Sequence, residues 1–287
     1  MKYLSANSYY QKIFGTKTYR VSLSLATTCP NRDGTLSNTG CIFCSAGGSG
    51  EFAGTGTLSI TEQFKSGVEK LSRKTTPDTL YIAYFQSFTG TYVDPQKLKA
   101  ALDETCSLDK VCAVSIGTRP DCLGDDIMEV LKSCTLPLFV ELGLQTASDE
   151  TATLINRCYK TEEYVEAAGK LKDANINVIT HIIFGLPGET PEDMMNTVKL
   201  AGIGDGVKFT CLYVLKGTPL EQMWRGGQFK TLEMDEYFDI VEKALEILPE
   251  GMVVHRLTGD GPKSLLLSPM WSADKRKVIN YINRRFG

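Results

Sequence analysis

One rhythm narrows the choice of fold more than any other feature of this chain: apolar runs of strand length alternate with amphipathic, charged stretches. The runs are RVSLSL (20–25), TLYIAYFQ (79–86), VCAVSIGTR (111–119), LFVELGLQ (138–145), NVITHIIFGL (177–186) and VKFTCLYVL (207–215). Between them, ITEQFKSGVEKLSRK and TEEYVEAAGKLKDA carry the apolar spacing of helices laid over a parallel sheet. ETPEDMMNTVKLAG opens with Thr190 and Pro191, an N-cap and first-turn pair. Six such units predict the α/β class, as an incomplete parallel (βα)6 TIM-like barrel. At 287 residues the chain suits one such barrel over 20–250, with an N-terminal extension over 1–19 and a C-terminal extension over 251–287 that packs on it.

Period two along the strands says what the barrel would hold. In VELGLQ, Val140, Leu142 and Leu144 face the helices, which turns Glu141, Gly143 and Gln145 toward the axis. A carboxylate and an amide there need polar partners, and Arg119 or Arg157 would serve Glu141. In VCAVSIGTR, Val114 and Ile116 point out, while Ala113, Ser115, Gly117 and Arg119 point in. Small residues followed by a guanidinium leave room for a ligand. His181 and Ile183 share the inward face of the next strand, and Gly185 and Gly188 follow where backbone can approach a ligand closely. Barrel enzymes work at the C-terminal ends of their strands, where Gln86, Arg119, Gln145 and Gly185 are expected to converge, with Lys216 at the mouth.

The first strand runs directly into TTCPNRDGTLSNTGCIFCSAGG, whose Cys29, Cys41 and Cys44 have no fourth cysteine close behind. Nine cysteines without a secretory leader or a long apolar span point to a reducing, cytoplasmic setting, where a cysteine cluster is read as metal-binding or catalytic. Structural zinc closes with four ligands, and the chain has only two histidines, both far off. A four-iron, four-sulfur cluster held by three cysteines would instead keep one iron open for a small ligand. Cys106, Cys112, Cys122, Cys134, Cys158 and Cys211 read as small buried hydrophobes.

The loop resembles the cluster motif of the radical S-adenosylmethionine (SAM) superfamily. Its spacing, C-x11-C-x2-C with CPNRDG, is similar to that of a short bacterial subfamily related to the elongator catalytic subunit. IGTRPD (116–121), ELGLQTASDETATLINR (141–157), HIIFGLPGET (181–190) and LYVLKGTP (212–219) fit the same pattern, so the resemblance spans roughly residues 20 to 275. It implies that Cys29, Cys41 and Cys44 ligate a [4Fe-4S] cluster whose open iron chelates SAM. By the same resemblance Gln145 and Arg157 contact the sugar or methionine carboxylate of SAM, and Gln86 and Ser87 receive its amino group. Two positions depart from the elongator relatives: Gly117 stands for a glutamate before TRPD, and NRCY for NRGH, which sets Cys158 apart. The implied chemistry is reductive cleavage of SAM and hydrogen-atom abstraction, with a flavodoxin or ferredoxin as electron donor.

The resemblance further implies a tRNA substrate, whose wobble uridine 5-substituent is matured from carboxymethylaminomethyl toward aminomethyl. A small metabolite, or a noncatalytic cluster or zinc module in RNA binding or redox sensing, are the alternatives. His255, Arg256 and Asp260 of HRLTGDGP would suit a substrate lid. Lys275, Arg276, Lys277, Arg284 and Arg285 read as a solvated helix face, and the net charge of -3 supplies no basic field for RNA.

Overall fold

A computed structural model of the protein describes residues 3–48, 56–259 and 261–287. The chain opens with a short strand, β1 (Leu4–Ser5), and helix α1 (Ala6–Phe14). The expected strands follow as β2 (Thr18–Leu23), β3 (Leu80–Phe85), β4 (Val111–Thr118), β5 (Leu138–Gln145), β6 (Asn177–Phe184) and β7 (Gly206–Cys211). They are joined through α2 (Ile60–Leu71), α3 (Pro95–Cys106), α4 (Asp125–Lys132), α5 (Asp149–Leu154), α6 (Thr161–Asp173) and α7 (Pro191–Ala201). Beyond them come β8 (Val214–Leu215), α8 (Pro219–Arg225), α9 (Met234–Ile247), β9 (Val253–Arg256), β10 (Leu266–Ser268) and α10 (Lys275–Phe286). Ser59 caps α2 and Thr190 caps α7, each in a reciprocal capping box with the acidic residue three positions on, Glu62 or Asp193.

The main sheet is parallel, in the order β1-β9-β7-β6-β5-β4-β3-β2, so the six strands read from the sequence pair with their neighbours in chain order. Two more strands, β9 and β1, come from the segments expected as extensions. The sheet curls until side chains bridge its open seam: Arg20 Nη2 on β2 lies 3.3 Å from His255 Nδ1 on β9. The run expected over 207–215 is broken. Leu212 N still donates to Phe184 O at 3.0 Å, but Val214 and Leu215 turn away and pair antiparallel with β10. They leave because Leu212 and Val214 bury in a separate cluster with Ile155, Leu186 and Leu220, on which Ile42 and Phe43 of the cysteine loop rest.

Alternation holds along every long strand. Val21, Val114, Ile116, Val140, Leu142, Leu144, Val178, Ile182, Val207 and Phe209 form the core between sheet and helices. Burial of each such side chain contributes on the order of 1.5–3 kcal/mol. The opposite face lines the barrel interior in layers. Ile82, Ala113, Phe139 and Ile179 close its lower end around Tyr10 of α1, which seals the base with apolar surface. Polar chemistry is thereby confined to the middle and the C-terminal end.

Candidate active site

The cysteine loop is folded by its own turns and then tied to the barrel. Arg32 N donates to Cys29 O at 2.8 Å, Gly40 N to Asn31 O at 2.6 Å and Cys44 N to Cys41 O at 2.9 Å. Asn31, fully buried, donates from Nδ2 to Asn156 O at 2.6 Å and sits 3.5 Å from Cys41 Sγ. Asn156 answers by donating to Gly40 O at 2.8 Å, and Arg32 Nη2 donates to Cys44 O at 2.8 Å. Gly40, at φ 75°, is required by closeness as well as by backbone: a Cβ there would meet Arg32 Nε at 2.8 Å.

Cys29, Cys41 and Cys44 border one cavity of about 240 Å3 at the C-terminal ends of the strands. Its walls include Gln86, Gly117, Arg119, Gly143, Gln145, Tyr159 and Ile183, and Tyr84, Glu141, His181 and Thr210 also line it. Among the described residues no three His, Cys, Asp or Glu side chains converge closely enough to bind one metal ion directly. The thiols instead border a common space, as separate irons of one cluster require of their ligands. Burial, with Cys44 adding its charge, pushes the Cys41 thiol up to about 12, so a bound metal must displace its proton.

Gln145 ends β5 in a left-handed conformation, φ 59°, at a register shift between β5 and β6. Its Oε1 accepts from Tyr159 Oη at 2.7 Å, folding the amide back over Gly143, where a Cβ would meet Gln145 Nε2 at 2.5 Å. Arg119 is held by Asp121 in a bidentate pair at 2.9 and 2.7 Å and lies over the Tyr159 ring, 4.8 Å from its centroid. Gln86 accepts from Ser22 Oγ at 3.3 Å.

Below these lies a charged floor. Glu141, 1% exposed, accepts at Oε1 from Arg20 Nη1 at 2.9 Å and Ser115 Oγ at 3.0 Å. Its Oε2 accepts from Tyr84 Oη at 2.5 Å, from His181 Nε2 at 3.0 Å and from Lys208 Nζ. Burial opposes the charge, but Lys208 and Arg20 hold the Glu141 carboxyl well below the usual carboxylate range. Burial and then Lys208 push the His181 imidazole down to about 4, and burial, followed by Arg20, lowers Lys208 well below the usual lysine range.

Several expectations are corrected. Arg157 does not line the cavity: fully buried, it donates to the carbonyls of Leu144 (2.6 Å), Thr146 (2.7 Å) and Tyr159 (3.1 Å). Left-handed Asn156 and Cys158 on either side fold it under the turn that carries Gln145. Glu141 pairs with neither Arg119 nor Arg157, because Arg20 and Lys208 reach it from β2 and β7. Ser87 is buried on Ser24 Oγ at 2.8 Å, away from the cavity lining. Gly185 backs onto Leu232, and Lys216 is exposed; neither lines the cavity.

His255 and Arg256 belong to β9, so they form part of the barrel and not a lid: His255 meets Tyr10 Oη at 3.4 Å, and Arg256 Nη2 donates to Thr210 Oγ1 at 2.5 Å. Asp260 lies outside the described residues. Cys158 is exposed and not a buried hydrophobe, whereas Cys211 is buried and Cys106, Cys112, Cys122 and Cys134 are half-buried. In α10, Lys275, Arg276, Lys277 and Arg284 are exposed, while Arg285 pairs with Asp239 and Glu242 of α9. Arg20, Tyr84 and Lys208 were not singled out from the sequence, although period two in RVSLSL, TLYIAYFQ and VKFTC puts all three inside.

A curled parallel barrel with a three-cysteine loop across its mouth defines a class of barrel proteins built to hold an iron–sulfur cofactor over the strand ends. The chain belongs to the radical SAM superfamily, whose profile matches residues 24–201, and the Radical_SAM C-terminal domain matches residues 204–286. It is a radical SAM enzyme, of a family that uses a [4Fe-4S] cluster and SAM. It is 43% identical over 287 residues to uncharacterized protein YtqA of Bacillus subtilis, across 99% of this chain and 89% of that one. It is 28% identical over 201 residues to a tRNA uridine(34) acetyltransferase of Methanocaldococcus infernus, covering 65% of this chain and 35% of that protein. The solved structure of archaeal Methanocaldococcus infernus Elp3 superposes with a TM-score of 0.69 at 19% identity, over 93% of this chain and 63% of that one, a likeness of fold. Among the described residues no helix is long and apolar enough to cross a membrane.

Proposed function

We propose that the protein modifies the 5-substituent of tRNA wobble uridine, from carboxymethylaminomethyl toward aminomethyl. The observation that carries this reading is one cavity bordered by Cys29, Cys41 and Cys44 and, at its base, by Glu141 and His181. The relative named as a tRNA uridine(34) acetyltransferase supplies the substrate class, and this chain matches 35% of that protein's length. When bound, the reduced cluster and SAM supply hydrogen-atom abstraction, with a flavodoxin or ferredoxin as electron source. Cys29, Cys41 and Cys44 are the cluster ligands in this reading, and Gln86, Gln145 and Arg119 orient SAM.

The remaining residues position and exclude. Arg157 clamps the turn that fixes Gln145, and Tyr159 holds the Gln145 amide. Tyr10 and the apolar layer around it keep water from entering through the barrel base, so a substrate carbon over Glu141 and His181 is sheltered from competing hydrogen donors.

The test is anaerobic reconstitution, reduction with dithionite, and measurement of 5′-deoxyadenosine with and without bulk tRNA carrying unmatured wobble uridines. Formation that rises with tRNA and yields shortened substituents supports the proposal. Formation indifferent to tRNA would contradict it and turn the search to a small metabolite.

A further inference from the structure

Asn31 does something in the cysteine loop that its tether to the barrel alone does not explain. The turn it belongs to is closed by backbone: Arg32 N and Asp33 N both donate to Cys29 O, at 2.8 and 3.2 Å, and Leu36 N donates to Pro30 O at 2.8 Å. The turn sends the Asn31 side chain inward, where it is fully buried, and its own carbonyl accepts from Gly40 N at 2.6 Å. Asn156 O can only accept, so the Asn31 amide must present its nitrogen there, and Nδ2 donates to it at 2.6 Å. That choice fixes the rest of the amide. Oδ1 is left buried with no partner among the described residues, and the second hydrogen of Nδ2 serves Cys41 Sγ, 3.5 Å away. A tether needs one of these hydrogens, and burying a carbonyl oxygen without a partner is unfavourable.

Cys41 borders the cavity and Asn31 does not, so the amide meets the sulfur from within the protein, where water does not compete for the bond. A hydrogen aimed at a ligand sulfur stabilises the negative charge gathered there on reduction, one of the means by which a protein sets the potential of an iron–sulfur cluster. Resting on the reading of Cys41 as a cluster ligand, we infer that Asn31 is a positioning residue of the reduction step: its Nδ2 donates to the Cys41 sulfur and raises the potential at which the cluster takes up its electron. No bond forms or breaks in this role. A single electron passes from the donor, and Asn31 keeps its proton.

The test is a redox titration of the reconstituted, SAM-free protein without oxygen, read by electron paramagnetic resonance of the reduced cluster. Asn31→Leu keeps the size of the side chain and removes both N–H groups. At the wild-type midpoint its ratio of reduced to oxidised cluster should fall about fivefold, which is about 40 mV for one electron. Asn31→Asp, which sets a carboxylate beside the same sulfur, should fall at least as far. Asn156→Gly is the control: it suits the left-handed backbone at φ 53° and removes the side chain that donates to Gly40 O, but leaves Asn156 O and the Asn31 amide in place. Its melting temperature should drop while its midpoint stays with the wild type. An unchanged midpoint in Asn31→Leu, or equal shifts in Asn31→Leu and Asn156→Gly, would overturn the inference. Iron lost from both Asn31 variants would also overturn it, leaving Asn31 as a tether without which no cluster is held. A Cys41→Ala protein that kept its iron and the wild-type midpoint would sink the ligand assignment, and the inference with it.

Discussion

The cysteine loop and the charged floor border the same cavity but are built in opposite ways. The loop is nearly contiguous: Cys29 to Cys44 is organised by turns within the segment, with Asn156 and Ile155 as outside anchors. The floor draws Arg20, Tyr84, Ser115, Glu141, His181, Lys208 and Arg256 from seven different strands and exists only once the sheet has curled. A local segment can therefore lose its chemistry without loss of fold, whereas the distributed cluster ties chemistry to stability.

The largest effect should come from the loop. Cys41→Ala is expected to reduce iron content and 5′-deoxyadenosine formation to background while shifting the urea midpoint of the unloaded protein little. A collapse of stability would show that the loop is structural, against the comparison. Next, Glu141→Gln should cost about 3–5 kcal/mol in urea denaturation, the scale of a broken buried ion pair. Pairing it with Lys208→Met should restore part of that loss, which independent sites would not do.

Arg157→Met sharpens the comparison further. It should destabilise by about 2–3 kcal/mol by leaving buried carbonyls unsatisfied. If the variant instead raised the KM for SAM at full stability, Arg157 would be a cofactor contact and not the clamp described. The smallest effect concerns Glu189, whose carboxyl burial raises from its ordinary value of 4.5 to about 7, with Thr146 Oγ1 bonded to it. A raised folded value means this group's contribution is present below the unfolded value and is lost as pH rises through the folded one. Glu189→Gln should therefore gain melting temperature over the wild type at about pH 8 and match it at about pH 4. Equal pH profiles would place Glu189 in solvent.

Much of the interior was legible because period two is unforgiving. VELGLQ allows only one set of inward residues, and Glu141, Gly143 and Gln145 all line the cavity. The same rule written along VKFTC would have found Lys208. The partners of Glu141 were not legible, since curling sets which strands face each other across the barrel. Arg157 was misread because left-handed turns at Asn156 and Cys158 aim its side chain, and NRCY does not spell them. His255 and Arg256 sit in a four-residue strand amid turn residues, too short for alternation to show. The cysteine loop was readable as a motif because its ligand spacing lies within a single segment.

The most direct measurement is a crystal structure of the anaerobic, cluster-loaded protein with SAM. The account predicts a cluster on Cys29, Cys41 and Cys44, with the SAM 5′ carbon facing the floor of Tyr84, Glu141 and His181. A 5′ carbon turned instead toward the separate groove of about 610 Å3 beside Asp121, Cys122 and Cys158 would contradict it.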